Sequence, residues 1–137
     1  MIIWNEQFKT GSETIDQQHQ MLIQNINHLG CLLTETNPSR ETCAFLVNLV
    51  EFLESYTRQH FRYEEGCMEQ HRCPAHAANK QAHEEFLAFF KQFREDTRRK
   101  GIQPSAIRTL HQTISQWVEE HILRVDMQLK PCLNAGG

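Results

Sequence analysis

Apolar residues recur along this chain at steps of three and four, the period at which one face of an α-helix returns. Four segments show it. In the first, Thr14 and Gln17 have the form of a capping box, and His19, Leu22, Ile23, Ile26, Leu29 and Leu33 follow on one face. Asn37-Pro38-Ser39 breaks the pattern and can start a second helix. Its stripe runs through Phe45, Leu49, Phe52, Leu53, Tyr56, His60 and Glu64. Gly66 and then Cys73-Pro74 interrupt it, with Pro74 suited to the first turn of a third helix. Asn79, His83, Phe86, Phe90 and Phe93 carry that helix, and Gly101 closes it. Pro104 opens a fourth, lined by Ile107, Leu110, Ile114, Trp117 and His121, and Pro131 is suited to end it.

No segment alternates with period two and β-branched residues are sparse, so strands are not expected. Four long helices with short links predict an all-α protein, an antiparallel up-down four-helix bundle. The first fourteen residues read as an extended N-terminal arm, with Trp4 and Phe8 covering the bundle. There is no internal repeat.

Composition narrows the partners. The 137 residues make one domain, spanning 1–137, and a 39% hydrophobic content supplies a single core. The net charge of −3 is spread over mixed acids and bases, which argues against nucleic acid or a membrane surface as partner. The basic run Arg98-Arg99-Lys100 beside Gly101 reads as the solvated end of a helix. The N-terminus lacks the form of a signal peptide, and no apolar run approaches the ~20 residues of a membrane span. The five cysteines, Cys31, Cys43, Cys67, Cys73 and Cys132, are odd in number and contain no C-x-x-C pair, which points to a reducing cytoplasm.

Eight histidines are present, and their positions matter more than their number. His19, His60, His83 and His121, with Glu64, occupy stripe positions where core residues belong. Burying such groups without partners costs several kcal/mol each. A lone core histidine is usually satisfied by a hydrogen bond. Here one falls on each helix. His19 and His83 lie near helix starts and His60 and His121 near helix ends, so in an antiparallel bundle all four share one end. A metal site predicts that coincidence, and scattered core histidines do not. His60 and Glu64 are one turn apart and can share the site. Asp126, five residues after His121, would be rotated about 140° away on a regular helix, and periodicity alone does not select it. Imidazoles with carboxylates suit iron, zinc, copper or nickel. The Glu-x-x-His pattern of ferritin-like sites is absent, as is H-E-x-x-H.

At these residues the chain resembles the bacterial hemerythrin domain. The resemblance runs from Trp4 to about Leu129 through Ile15-Asp16-Gln17-Gln18-His19, His60-Phe61-Arg62-Tyr63-Glu64-Glu65, His83-Glu84-Glu85-Phe86 and the segment from Trp117 to Asp126. It implies two iron ions bridged by an oxo or hydroxo group and two carboxylates, Glu64 and Asp126. His19 and His60 would serve one iron, and His83 and His121 the other. Dioxygen or a small anion would occupy an open position, with Ile23, Phe61 and Ile122 as expected pocket walls. The family pattern has a further histidine where this chain has Asn79, so the second iron is expected to lose an imidazole, leaving Asn79 as a weak ligand or a vacancy. His76, two turns from His83, is a poor substitute.

Other readings are plainer. Gln18 and Glu120 adjoin ligand positions and are read as solvent-exposed rather than orienting. His28, His71 and His111 lie off the site. Phe45, Phe52, Phe86, Phe90 and Trp117 are expected in the core, and Cys67 and Cys73 are expected to be ordinary thiols. Functionally, the resemblance implies a dioxygen-binding or redox-sensing domain regulating an attached signalling output such as a diguanylate cyclase, with the chain as the N-terminal sensor part of a longer protein. The alternative is a free-standing dioxygen carrier, store or scavenger. No acid-base pair or substrate cleft is visible, so no catalysis is assigned to the domain itself.

Overall fold

The computed structural model describes residues 1–34 and 38–135, with the side chains of residues 125–127 and 134–135 outside the described set. Asn37, one of the expected helix breakers, and the side chain of Asp126 therefore lie outside the described residues. A 3₁₀ turn, Glu6–Phe8, precedes four helices: α1 (Glu13–Leu32), α2 (Arg40–Gln70), α3 (His76–Lys100) and α4 (Pro104–Ala135). Each helix packs on its sequence neighbour, α4 returns to α1, and α2 also meets α4 across the bundle.

Local chemistry fixes the helix ends. Ser12, not Thr14, caps α1, its side chain accepting from the backbone N–H of Ile15. Asp16 in that first turn accepts from both the backbone N–H and the hydroxyl of the buried Thr10, which ties the arm to the helix. Ser39 caps α2 through the N–H of Thr42. Gly101 ends α3 at φ 81°, a conformation glycine adopts without steric cost. Pro74 lies in the turn before α3, which starts at His76 with no side-chain cap.

Two breakers do not break. α2 runs through Gly66, where a helical glycine costs about 1 kcal/mol against alanine while the burial of Glu64 and Met68 on either side holds the backbone. α4 continues past Pro131 to Ala135. Beyond the proline, Cys132 and Leu133 pack with Leu129 against Ile15, Met68 and Cys73, and this contact offsets the lost backbone hydrogen bond.

The expected stripe of α2 is rotated from the true one. Leu53, His60 and Glu64 of that stripe are buried, but Phe45 and Phe52 are half-exposed, and Leu46, Val50, Thr57 and Phe61 take other buried places. The stripes of α1, α3 and α4 agree with expectation: Leu22, Ile23, Ile26 and Leu29 face Phe86, Phe90, Phe93, Ile107, Leu110 and Ile114 in one cluster. Gly30 permits a close approach there, because a Cβ would stand 2.7 Å from Nε2 of His111, whose ring donates to the carbonyl of Ile26 at 3.1 Å. The arm packs as expected, with Ile2 and Phe8 buried, Trp4 against the same cluster, and the Asn27 amide bonding both backbone groups of Ile2. A second, smaller apolar cluster of Ile15, Met68, Cys73 and Leu129 lies at the other end. His19 and Glu64 fall between the two, so the polar residues of the core are closed off above and below.

Candidate metal centre

The structure brings His19, His60, Glu64, His83 and His121 together, one histidine from each helix, and all five are buried. Glu64 is the hub. Its Oε2 lies 3.4 Å from Nε2 of His19 and 3.3 Å from Nε2 of His60. Its Oε1 lies 3.1 Å from Nε2 of His83 and 3.3 Å from Nε2 of His121. One carboxylate thus presents one oxygen to each of two histidine pairs, and each pair with Glu64 forms a compact group able to hold an ion. His76, half-buried at the start of α3, joins neither group.

For two of the rings, a partner on the outer nitrogen settles which way the proton points. Nδ1 of His60 donates to Oε1 of Gln18 at 2.7 Å, and Nδ1 of His83 donates to the Glu65 carboxylate at 2.8 Å. Both orientations leave the Nε2 lone pair aimed inward, where it faces a carboxylate oxygen. Nε2 of His83 also stands 3.1 Å from Nε2 of His121. A ring lone pair that faces a carboxylate oxygen repels it unless a proton or a cation lies between them. Nε2 of His19, Nε2 of His60 and Oε2 of Glu64 are buried without any hydrogen-bond partner, a costly state for a closed core. The donor set, its inward lone pairs and its orphaned atoms therefore fit a metal, and His–carboxylate chemistry of this kind suits iron.

Electrostatics agrees. Burial pushes the Glu64 carboxyl upward, but the imidazoles of His121, His19, His60 and His83 gathered round it outweigh burial and hold the group well below the usual carboxylate range. Burial pushes His121 down to about 4 and lowers His60, in both cases against the attraction of Glu64. Those two imidazoles are neutral at pH 7, the form that ligates. Arg124 contacts Nδ1 of His121 at 3.2 Å. Because Arg can only donate, that contact requires the proton on Nε2, so an ion at Nε2 displaces it.

Aromatic rings wall the His83–His121 half. Phe61 stacks on His83 with ring centroids 3.8 Å apart and planes 2° apart, and Trp117 stacks on His121 at 4.4 Å. Phe61, expected as a pocket wall, therefore touches the site. Ile23 and Ile122 are buried in the same large cluster. Trp117, read as core, is a wall as well. Asn79 is buried one turn before His83, its Nδ2 donating to the Met68 sulfur at 3.0 Å and its Oδ1 without a partner.

Three residues were missed or misread from the sequence. Gln18, expected to be solvent-exposed, is the acceptor that orients His60. Glu65 orients His83, and its place immediately after the inward Glu64 was the available signal. Arg124, one turn past His121, had none. Glu120 is exposed, as expected. His28 and His71 are exposed and His111 is bonded to α1, so all three lie off the site.

Comparison with known proteins agrees with this geometry. The family model of the hemerythrin HHE cation-binding domain matches residues 10–133. A bacteriohemerythrin of Stenotrophomonas maltophilia (strain R551-3) is 30% identical over 138 residues, covering 98% of this chain and 85% of that protein. A bacteriohemerythrin of Pseudomonas aeruginosa (strain LESB58) is 28% identical, covering 91% of this chain and 76% of its own. A myohemerythrin of Sipunculus nudus is 27% identical, covering 93% and 90% respectively. No solved structure matches the chain at a comparable level. Matched over most of its length and carrying the buried donor set described above, the chain belongs to the hemerythrin family, whose members bind dioxygen at non-haem iron.

Proposed function

We propose that the chain holds two iron ions and responds to dioxygen through them, with His19 and His60 serving one ion, His83 and His121 the other, and Glu64 bridging both. The observation that carries this reading is the Glu64 carboxylate with one oxygen turned to each histidine pair. Asp126 is carried over from the family pattern as the second bridge. When bound, a ferrous pair supplies reversible electron donation to dioxygen. The chain's own residues do the rest. Gln18 and Glu65 hold the imidazole tautomers, and Phe61 and Trp117 stack on the rings of His83 and His121 and fix their planes.

Asn79 supports a responsive rather than a storing role. It replaces an imidazole of the family pattern, and its buried Oδ1 has no partner, so it offers at most a weak oxygen to the ion or a hold on a water. The second iron would then be one nitrogen donor short, with a position that a water or a small anion could take. That favours a domain whose oxidation state, rather than a lasting adduct, is the output, regulating a signalling partner such as an attached cyclase. The 1–137 unit would then be the sensor part of a longer cytoplasmic protein, a compartment that five free thiols fit. The second reading is a free-standing carrier or scavenger. It is favoured by relatives named bacteriohemerythrin and myohemerythrin, most of whose length this chain covers.

The test is anaerobic reduction of the iron-loaded protein, then air, with optical spectra followed over time. Rapid passage to the oxidised spectrum without a lasting oxy band supports the sensor. An oxy band that persists and vanishes on deoxygenation supports the carrier. Iron analysis giving one ion per chain would overturn the two-iron reading. Asn79→His should prolong any oxy band at least about tenfold if the missing imidazole is the cause.

A further inference from the structure

The outer surface of α1 and α2 is unlike the rest of the molecule. From residue 17 to 34 the chain contains no Asp, Glu, Lys or Arg, although Gln17, Met21, Gln24, His28 and Cys31 of α1 are exposed. On α2, Phe45, Phe52 and Tyr63 are 51%, 49% and 42% exposed, beside Met21 of α1 at 46%. Phe45, Phe52, Tyr56 and Tyr63 recur at steps of seven, four and seven, and so form one strip along α2. His28 of α1 packs edge-on to Phe45 at 6.4 Å, Phe52 stacks on Tyr56 at 6.1 Å, and the Tyr56 hydroxyl donates to the Gln18 carbonyl. Arg58 of α2 turns instead toward Glu54 and the α3 side, where Arg94 also binds. Exposed aromatic area without charge is the composition of an interface core, not of a solvated helix face.

The order of the aromatics selects the occupant. Phe45 and Tyr63 each lie nine residues from Glu54, and Phe52 and Tyr56 each lie two. The strip is therefore palindromic in ring size. When two copies of α2 cross antiparallel about a two-fold axis near residue 54, Phe45 of one copy meets Tyr63 of the other and Phe52 meets Tyr56, each contact occurring twice. That self-complementarity is the requirement of an isologous interface. We propose that this face binds a second copy of the chain in that register.

The size of the face sets the strength. From Phe45 to Tyr63 the strip is about 27 Å long at 1.5 Å per residue, and a layer of two helices is about 20 Å wide. Two copies then bury about 1,100 Å² together, near the lower end for specific complexes. A face of that size suits a reversible dimer rather than a permanent one.

Sedimentation equilibrium on the full iron-loaded chain, from about 1 μM to about 1 mM, tests this. The expected result is a monomer–dimer equilibrium that Phe52→Glu weakens at least about tenfold, with iron content and helical circular dichroism unchanged. Phe45→Lys alone and Tyr63→Glu alone weaken it too, and the double variant Phe45→Lys/Tyr63→Glu recovers dimer at low salt, because each lysine then faces a glutamate of the other copy. A wild-type chain that stays monomeric throughout overturns the proposal and hands the face to a different partner. A dimer indifferent to Phe52→Glu overturns it by placing the contact elsewhere. Single variants that dissociate with no recovery in the double variant overturn the two-fold register.

Discussion

Glu64 is the residue on which the centre turns, since among the described residues its carboxylate is the group common to both histidine pairs able to hold an ion. Glu64→Ala is expected to lower the affinity for both proposed ions by more than about 100-fold, whereas His19→Ala should weaken one half and leave the His83–His121 pair able to bind; titration with cobalt(II), read optically for stoichiometry, separates these outcomes. Gln18 and Glu65 act through the rings they orient, so Gln18→Ala and Glu65→Ala should each cost about 10–100-fold in metal affinity with both ions still bound. If either variant bound metal as tightly as wild type, its imidazole would need no fixed tautomer. The five inward polar residues were legible in the sequence because each breaks an apolar stripe at a position where breaking it is costly. Their partners were not. Gln18 sits at the edge of the stripe of α1, and only the crossing of α2 brings His60 within 2.7 Å of it, a contact 42 residues apart that periodicity does not encode.

Each helix was visible in the sequence as an element, but its rotation was clear only where one apolar face stood alone. α1, α3 and α4 bury the faces their stripes predict. α2 carries two apolar faces side by side, a core face through Leu46, Val50, Leu53 and Thr57 and an aromatic face through Phe45 and Phe52, and size favoured the wrong one. Pro131 misled in the same way: a local rule against proline is outweighed by the contacts that Cys132 and Leu133 make beyond it. The same weighing applies to Glu54 on the opposite side of α2, whose carboxylate binds Arg58 and Arg94 and joins α2 to α3. Glu54 is nearly buried but both arginines are more than two-fifths exposed, so solvent screens the pair. Glu54→Ala should therefore cost only about 1–2 kcal/mol, read from denaturant midpoints, and leave iron binding intact. A larger loss accompanied by loss of iron would mean that this ion pair, and not the apolar cluster, sets the spacing of α2 and α3 at the site.

Across the whole molecule, the centre joins all four helices at one level, while the two apolar clusters lie to either side of it. Without an ion, the level between them holds a carboxylate, inward lone pairs and orphaned buried atoms, each of which opposes closure of the bundle. With an ion these same groups become its ligands, so metal binding and folding are coupled. The bundle should fold without metal, because its larger cluster spans the arm and all four helices and most of it lies away from the site. It should, however, melt at a lower temperature. At free metal about 100 times the dissociation constant, binding contributes about 2.7 kcal/mol, equivalent to a rise of roughly 5–15 °C for a domain of this size. Calorimetry of loaded and chelator-stripped protein measures it. In Glu64→Ala, which removes the group common to the two histidine pairs, the stripped protein should gain little on adding metal. Wild type and variant gaining equally would mean that the ion stabilises the bundle from some other place, and that the buried cluster at the level of Glu64 is not where it binds.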